Sequence, residues 1–157
     1  MPELNIFQFK SLYNKDMSII SNQLIPELSV TNFKRSLHFY TKVLGFDISY
    51  QREEEGFAFL VLGEAQMMID QIGIGRDWKT SELKYPLGRG INFQIKVENL
   101  DTLLGNIRKE GLSLFLVTEE KWYRKGNKEV GNRQFLIQDP DGYLLRLAEN
   151  LGERSLT

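Results

Sequence analysis

His38 is the only histidine of the chain and there is no cysteine. A histidine-based zinc site therefore has nothing to build from, and thiolate metal sites, thiol catalysis and disulfides are excluded. Ser36 has no histidine partner to activate it, because His38 falls on the helix face opposite Leu37 and Tyr40 and is expected in solvent. What remains is a set of carboxylates, amides, cations and aromatics. Glu27, Glu64 and Asp70 could meet a cationic ligand, and Glu27 is the best placed, since strand alternation turns it inward. Trp122 and Tyr123, flanked by Lys121 and Arg124, could stack on planar rings, each stack contributing about 1 kcal/mol. Arg146 is set among Leu144, Leu145 and Leu147 and puts a permanent positive charge where a core is expected. Two readings compete for it: a ligand contact, or an internal ion pair with Glu27 or Asp70 that offsets the cost of an unpaired buried charge.

Two other charged groups carry less. Glu53-Glu54-Glu55 reads as a solvated turn at the top of a hairpin. Asp139-Pro140-Asp141-Gly142 lacks the twelve-residue spacing and terminal Glu of a calcium loop. It reads as a turn in which Pro140 presets φ, Asp139 accepts a backbone hydrogen bond and Gly142 takes a positive φ.

The elements that must position these residues repeat. A strand over 24–30 is followed by a helix capped by Thr31 or Asn32, with Phe33, Leu37, Tyr40 and Leu44 at helical spacing and Gly45 as its stop. Strands over 46–52, 57–62 and 66–71 follow. At an offset of 67, Val30-Thr31-Asn32-Phe33 matches Val97-Glu98-Asn99-Leu100. The second copy has a strand over 91–97, a helix over 100–110 and strands over 112–118, 132–138 and 143–149. Residues 119–131 read as a charged loop carrying Trp122 and Tyr123. The chain thus divides into an arm (1–20), a single domain (21–150) of two βαβββ modules, about 24–72 and 88–150, a connector (73–87) and a tail (151–157).

The fold class expected is α+β: an eight-stranded curved sheet forming a cup, with a helix outside each half. Ile91, Phe93, Ile95 and Val97 should pack under the second helix, which turns Asn92, Gln94 and Lys96 to the concave side. By the repeat Ile25, Glu27 and Ser29 take the matching places. A cup this polar suits a ligand better than a dry core.

At 157 residues with 41% hydrophobic and 26% charged side chains, the chain has the makings of one globular core. A net charge of −1 does not suit a polyanion partner, and the basic run from Lys121 to Lys128 is too short to bind nucleic acid alone. No apolar run approaches the ~18 residues of a membrane span. The expectation is a soluble cytoplasmic protein with no nucleic-acid or membrane partner.

Three segments, ELSVTNFKRSLHFYTKVLGFDI, INFQIKVENLDTLLGNIRKEG and RQFLIQDPDGYLLRL, make the chain similar over about 24–150 to the vicinal oxygen chelate superfamily. That superfamily includes glyoxalase I, extradiol dioxygenases, fosfomycin-resistance enzymes and bleomycin-resistance proteins. V-x-N-F…S-x-x-F-Y-x-x-x-L-G-F with a downstream D-P-D-G-Y turn carries the likeness. Metal-dependent members place His and Glu ligands at four cup positions, which fall here on Ile25, approximately Met68, Asn92 and Arg146. Such a set is not one a metal would choose, so no metal and no cofactor are expected. The resemblance then implies the bleomycin-resistance branch, whose pattern of an aromatic-rich loop, a basic residue and Phe matches Lys121-Trp122-Tyr123-Arg124, Arg133 and Phe135. It implies a homodimer that sequesters a cationic or aromatic compound, a bleomycin-like drug among them, in a cup or interface groove. The ligand-binding residues would be Glu27, Ser29, Met68, Asn92, Gln94, Lys96, Trp122, Tyr123 and Arg146, with none catalytic. The alternative is a glyoxalase- or dioxygenase-like enzyme acting on a small metabolite.

Overall fold

The computed structural model describes residues 20–75 and 78–156. The repeat in the sequence becomes a repeat in space. The first unit runs β1 (Glu27–Val30), helix α1 (Phe33–His38) with a π-helical turn over Phe39–Val43, then β2 (Asp47–Arg52), β3 (Phe57–Leu62) and β4 (Ala65–Gln71). The second runs β5 (Asn92–Lys96), α2 (Leu100–Lys109), β6 (Leu116–Lys125), β7 (Lys128–Gln138) and β8 (Leu144–Ser155). The eight strands form two four-stranded sheets of identical order, β1-β4-β3-β2 and β5-β8-β7-β6. In each, the first strand lies parallel to the last and the other pairs are antiparallel.

The same local device starts both helices. The Asn32 side chain accepts the Arg35 N–H at 2.9 Å, and Asn99 accepts that of Thr102 at 3.0 Å, satisfying donors with no partner inside the helix. Helix α2 then buries Leu100, Leu103 and Ile107, one stripe at helical spacing. Gly45 ends the first helical segment with φ +78°, a conformation that costs glycine little. Helices and sheets share one core, drawn from Leu28, Val30, Tyr40, Leu60 and Ile69 of the first unit and Ile95, Leu100, Phe135, Ile137 and Leu147 of the second.

Several boundaries differ from the sequence expectation. β1 begins at Glu27 rather than 24. Ile91 stays exposed just outside β5, while Phe93, Ile95 and Val97 do pack inward. The largest correction concerns residues 119–131, which are not a loop. β6 and β7 continue through them as a hairpin closed at Gly126 and Asn127, and β8 runs to Ser155 through most of the expected tail. These extensions bury little, so hydrophobic alternation could not announce them. Cross-strand charge pairs line them instead: Lys125 and Lys128 on Glu153 at 3.3 and 3.1 Å, and Arg154 on Glu129 at 2.8 Å.

The connector is held at its end, where Leu87 is buried and donates its N–H to the Asp141 carbonyl at 2.8 Å. Trp78, within the connector, is 71% exposed. Apart from Ile20, the expected N-terminal arm lies outside the described residues. Among those described, no helix is long and apolar enough to cross a membrane.

Candidate ligand-binding site

Each sheet turns one face to the helices and core and leaves the other free of helices. On the first sheet, Ala58, Leu60, Met67 and Ile69 belong to the core, so Phe57, Phe59, Met68 and Asp70 take the opposite face. Register adds Tyr50 beside Phe59, Arg52 beside Phe57, Glu27 beside Met68 and Ser29 beside Asp70. The Tyr50 and Phe59 rings stack with centroids 5.2 Å apart, and the Arg52 guanidinium lies 4.0 Å above the Phe57 ring. Glu27 and Asp70 put two carboxyl groups beside this aromatic wall. Burial pushes the Asp70 carboxyl above its usual pKa, and a hydrogen bond with Glu27 and the nearby Arg52 work against that shift.

The second sheet carries different chemistry on the same side. Phe135, Ile137, Leu145 and Leu147 enter the core, leaving Gln134, Leu136, Leu144 and Arg146 on the helix-free face. Arg146 stands opposite Gln94 in register, and its Nη2 donates to Gln94 Oε1. Gln134 is 2% exposed. Its Nε2 donates to Glu119 Oε1 at 2.9 Å and to the Tyr123 hydroxyl at 2.7 Å. The Arg146 guanidinium is 6.0 Å from the centre of the Tyr123 ring. Two buried polar atoms here have no hydrogen-bond partner, Gln134 Oε1 and Arg146 Nε.

Most residues singled out from the sequence share one of these two faces. Glu27, Ser29 and Met68 lie on the first, and Asn92, Gln94, Tyr123 and Arg146 on the second. Lys96, exposed on the same strand, borders a cleft of about 700 Å³ that Leu44, Leu62, Glu64, Asn99 and Leu103 also line. Trp122 is the exception. As the strand neighbour of Tyr123 it points to the other side, where its indole lies on Gly131 with the Arg154 guanidinium 4.1 Å above the ring. A Cβ on Gly131 would come within 2.7 Å of that indole, so the glycine makes room for it. Trp122 and Tyr123 thus do not clamp one ligand together. Nor does Arg146 pair with Glu27 or Asp70, which belong to the other sheet; Gln94 is its hydrogen-bond partner. Arg133 grips Asp101 at 2.6 and 3.1 Å, away from the free face. His38 is exposed, with Nε2 3.3 Å from Glu110 Oε2.

Sequence reasoning passed over Tyr50, Phe57, Phe59, Glu119 and Gln134. Their signal was present in the period of two: Gln134 alternates with core residues Phe135 and Ile137, and Phe57 and Phe59 with Ala58 and Leu60.

Behind these faces the Asp139–Gly142 turn is more than a hairpin end. Asp141 accepts from the Thr31 N–H at 3.0 Å, the Thr31 hydroxyl, Arg35 Nη2 at 3.2 Å and the Ser36 hydroxyl at 3.4 Å. Asp139 accepts from the Tyr40 hydroxyl at 2.8 Å and from the N–H groups of Asp141 and Tyr143 at 2.9 Å each. Burial raises the Asp139 pKa despite those bonds. It also raises Tyr40 well above an ordinary phenol and Tyr143 to about 12, with Asp139 the next cause in both. The start of α1 and the last hairpin are thereby fastened together across more than a hundred residues.

The Glyoxalase/Bleomycin resistance protein/Dioxygenase superfamily model matches residues 22–147. A bleomycin resistance protein of Geobacillus stearothermophilus is 26% identical over 138 residues, 82% of this chain and 97% of the relative. Among solved structures, the bleomycin resistance determinant encoded on transposon Tn5 is 22% identical with a TM-score of 0.53, covering 83% of this chain and 99% of that one. TioX from Micromonospora sp. ML1 is 20% identical with a TM-score of 0.62, over 83% and 100%. At such identities the structures speak for the fold alone. The matched span takes in both βαβββ units, from before β1 into the core of β8, and on that ground the chain belongs to the glyoxalase/bleomycin resistance protein/dioxygenase superfamily.

Proposed function

We propose that this chain is a metal-free small-molecule-binding protein of the bleomycin-resistance type, a cytoplasmic homodimer that sequesters a cationic or aromatic compound without transforming it. The observation that carries the reading is the first sheet's free face. Tyr50, about half exposed and stacked on the buried Phe59 ring, offers an aromatic face to a planar group, and Glu27 and Asp70 offer negative charge beside it to a cationic group. The donor set supports the metal-free part. Isoleucine offers no donor, a thioether suits hard divalent ions poorly and a guanidinium repels them, so of Ile25, Met68, Asn92 and Arg146 only Asn92 has a side-chain oxygen to offer, and the set does not fit a metal. Among the described residues no three His, Cys, Asp or Glu side chains converge so as to hold a metal ion. For the dimer, Phe115 and Val117, 62% and 70% exposed at the start of edge strand β6, offer apolar surface to a second copy.

Protein purified without added metal should hold no stoichiometric iron, zinc or manganese by elemental analysis, and should sediment with the mass of two chains. Titrated with bleomycin in a calorimeter, it should give saturable heat with Kd below about 100 µM, an affinity of at least about 5 kcal/mol. Stoichiometric metal overturns the metal-free reading, and no saturable heat up to that concentration removes the drug.

A further inference from the structure

The two partnerless atoms on the second sheet define what chemistry could complete them. Gln134 stands opposite Ala148 and Arg146 opposite Leu136 on the paired strands β7 and β8, so the two side chains are diagonal neighbours on one face and within reach of a common small group. The orientation of the Gln134 amide follows from its partners. Glu119 as a carboxylate can only accept, so the Gln134 nitrogen must face it and the oxygen must face away. That leaves one buried acceptor, Gln134 Oε1, beside one buried donor, Arg146 Nε–H. A buried polar group without a partner is costly, and a ligand that supplies both partners recovers that cost at once.

Charge and hydrogen-bond polarity select the ligand. A carboxylate would satisfy Arg146 Nε but would set its oxygens against Gln134 Oε1 and the nearby Glu119. An ammonium group would satisfy Gln134 but would face the Arg146 guanidinium. Only a neutral group with a donor and an acceptor side by side fits both. From this, and resting on the small-molecule-binding reading above, we infer that the second sheet's free face is a carboxamide-reading subsite. The ligand's C=O accepts from Arg146 Nε–H while its N–H donates to Gln134 Oε1, and the Tyr123 ring borders the same place. The ligand class is a primary carboxamide, or a cyclic amide with the same donor and acceptor edge, attached to an aryl ring. The first sheet, with Glu27 and Asp70, takes a cationic group instead.

The test uses three probes of one shape, benzamide, benzoate and benzylamine, titrated into isotopically labelled full-length protein by NMR. Benzamide should shift the Gln134 side-chain amide and the Tyr123 ring signals saturably, and should bind about tenfold more tightly than either charged analogue. Arg146→Met, whose folding is checked by circular dichroism, should lose most of that preference. Benzoate binding as well as benzamide overturns the inference in favour of an anion site, and no binding by any probe leaves bound water as the sole occupant. A benzamide preference that survives Arg146→Met places binding elsewhere and equally overturns it. Failure here is distinct from failure of the broader reading: bleomycin that binds while benzamide shows no preference sinks only the subsite. Silent bleomycin with intact benzamide selectivity sinks only the drug.

Discussion

Arg146 shows why a charge seen in a sequence is hard to assign a partner. Its setting among leucines leads to the expectation of a carboxylate close by, and Glu27 and Asp70 are the inward-facing candidates. Register decides otherwise. The strand beside β8 is β5, and the residue opposite Arg146 there is Gln94; the two carboxylates lie in the other sheet. A guanidinium held by one neutral acceptor, with a buried Nε lacking any, contributes little to folding. Arg146→Met keeps the length of the stem and removes the desolvated group. It should leave stability in urea unchanged or raise it by about 1 kcal/mol. An ion pair with Glu27 or Asp70 would instead demand a loss of about 3–5 kcal/mol, and a loss of that size would show the carboxylate pairing to be right after all. Alternation alone tells which side of a strand Gln134 takes. That its amide ends up buried depends on Tyr123 and Glu119 arriving from β6, a strand whose length the sequence pattern does not announce.

Among the elements, most of those that bury an apolar stripe were readable to within a residue or two, β1 with its start three residues late being an exception. β3 is expected and found over Phe57–Leu62, and α2 ends one residue short of expectation. The β6–β7 hairpin was unreadable for a definite reason: from Glu120 to Lys128 it is charged and glycine-containing, and it is paired without being buried. The Asp139–Gly142 turn was legible as a turn, with the Gly142 N–H on the Asp139 carbonyl at 3.0 Å, but not as a clasp. Nothing local in D-P-D-G says that Thr31, Arg35, Ser36 and Tyr40 will donate to it. The clasp has a pH signature. The folded Asp139 pKa lies above its unfolded value, chiefly through burial. Its contribution to stability is therefore full below the unfolded pKa of about 3.9 and is lost as the pH rises through the folded one. Asp139→Asn keeps an acceptor for the two backbone N–H groups and a polar contact for Tyr40 while removing the titration. Urea midpoints measured between about pH 4 and 7 should fall less steeply with rising pH in the variant than in the natural protein. Parallel profiles would mean that Asp139 carries no raised pKa.

For the whole molecule, the two repeated units look separable in sequence, each with its own helix, sheet and glycine stop. In space they are not. Residues of both units form one core, and side chains tie the units together: Thr31 and Tyr40 to the Asp139–Gly142 turn, the Tyr143 hydroxyl to the Ser29 carbonyl at 3.1 Å and Asn106 Nδ2 to the Val43 carbonyl at 3.2 Å. A shared core with shared polar contacts should melt as one. In a Trp78→Phe variant, which leaves Trp122 as the one tryptophan, fluorescence reports on the second unit alone, whereas far-ultraviolet dichroism reports on both, so their urea midpoints should coincide. Alkali tests the same seam chemically. The Tyr143 pKa is raised to about 12 by burial and by Asp139 and Asp141, and Tyr40 is raised well above an ordinary phenol by burial first and then by the Asp139 charge. A raised phenol stabilises the fold fully below the free tyrosine value of about 10, and that contribution is lost as the pH rises through the folded value. These two tyrosines should therefore ionise only together with loss of dichroism. Fluorescence and dichroism midpoints that separate, or phenolate absorbance from Tyr40 or Tyr143 in a chain that is still folded, would mean that the units open independently and that the helix-free faces are not held in a fixed relation by this seam.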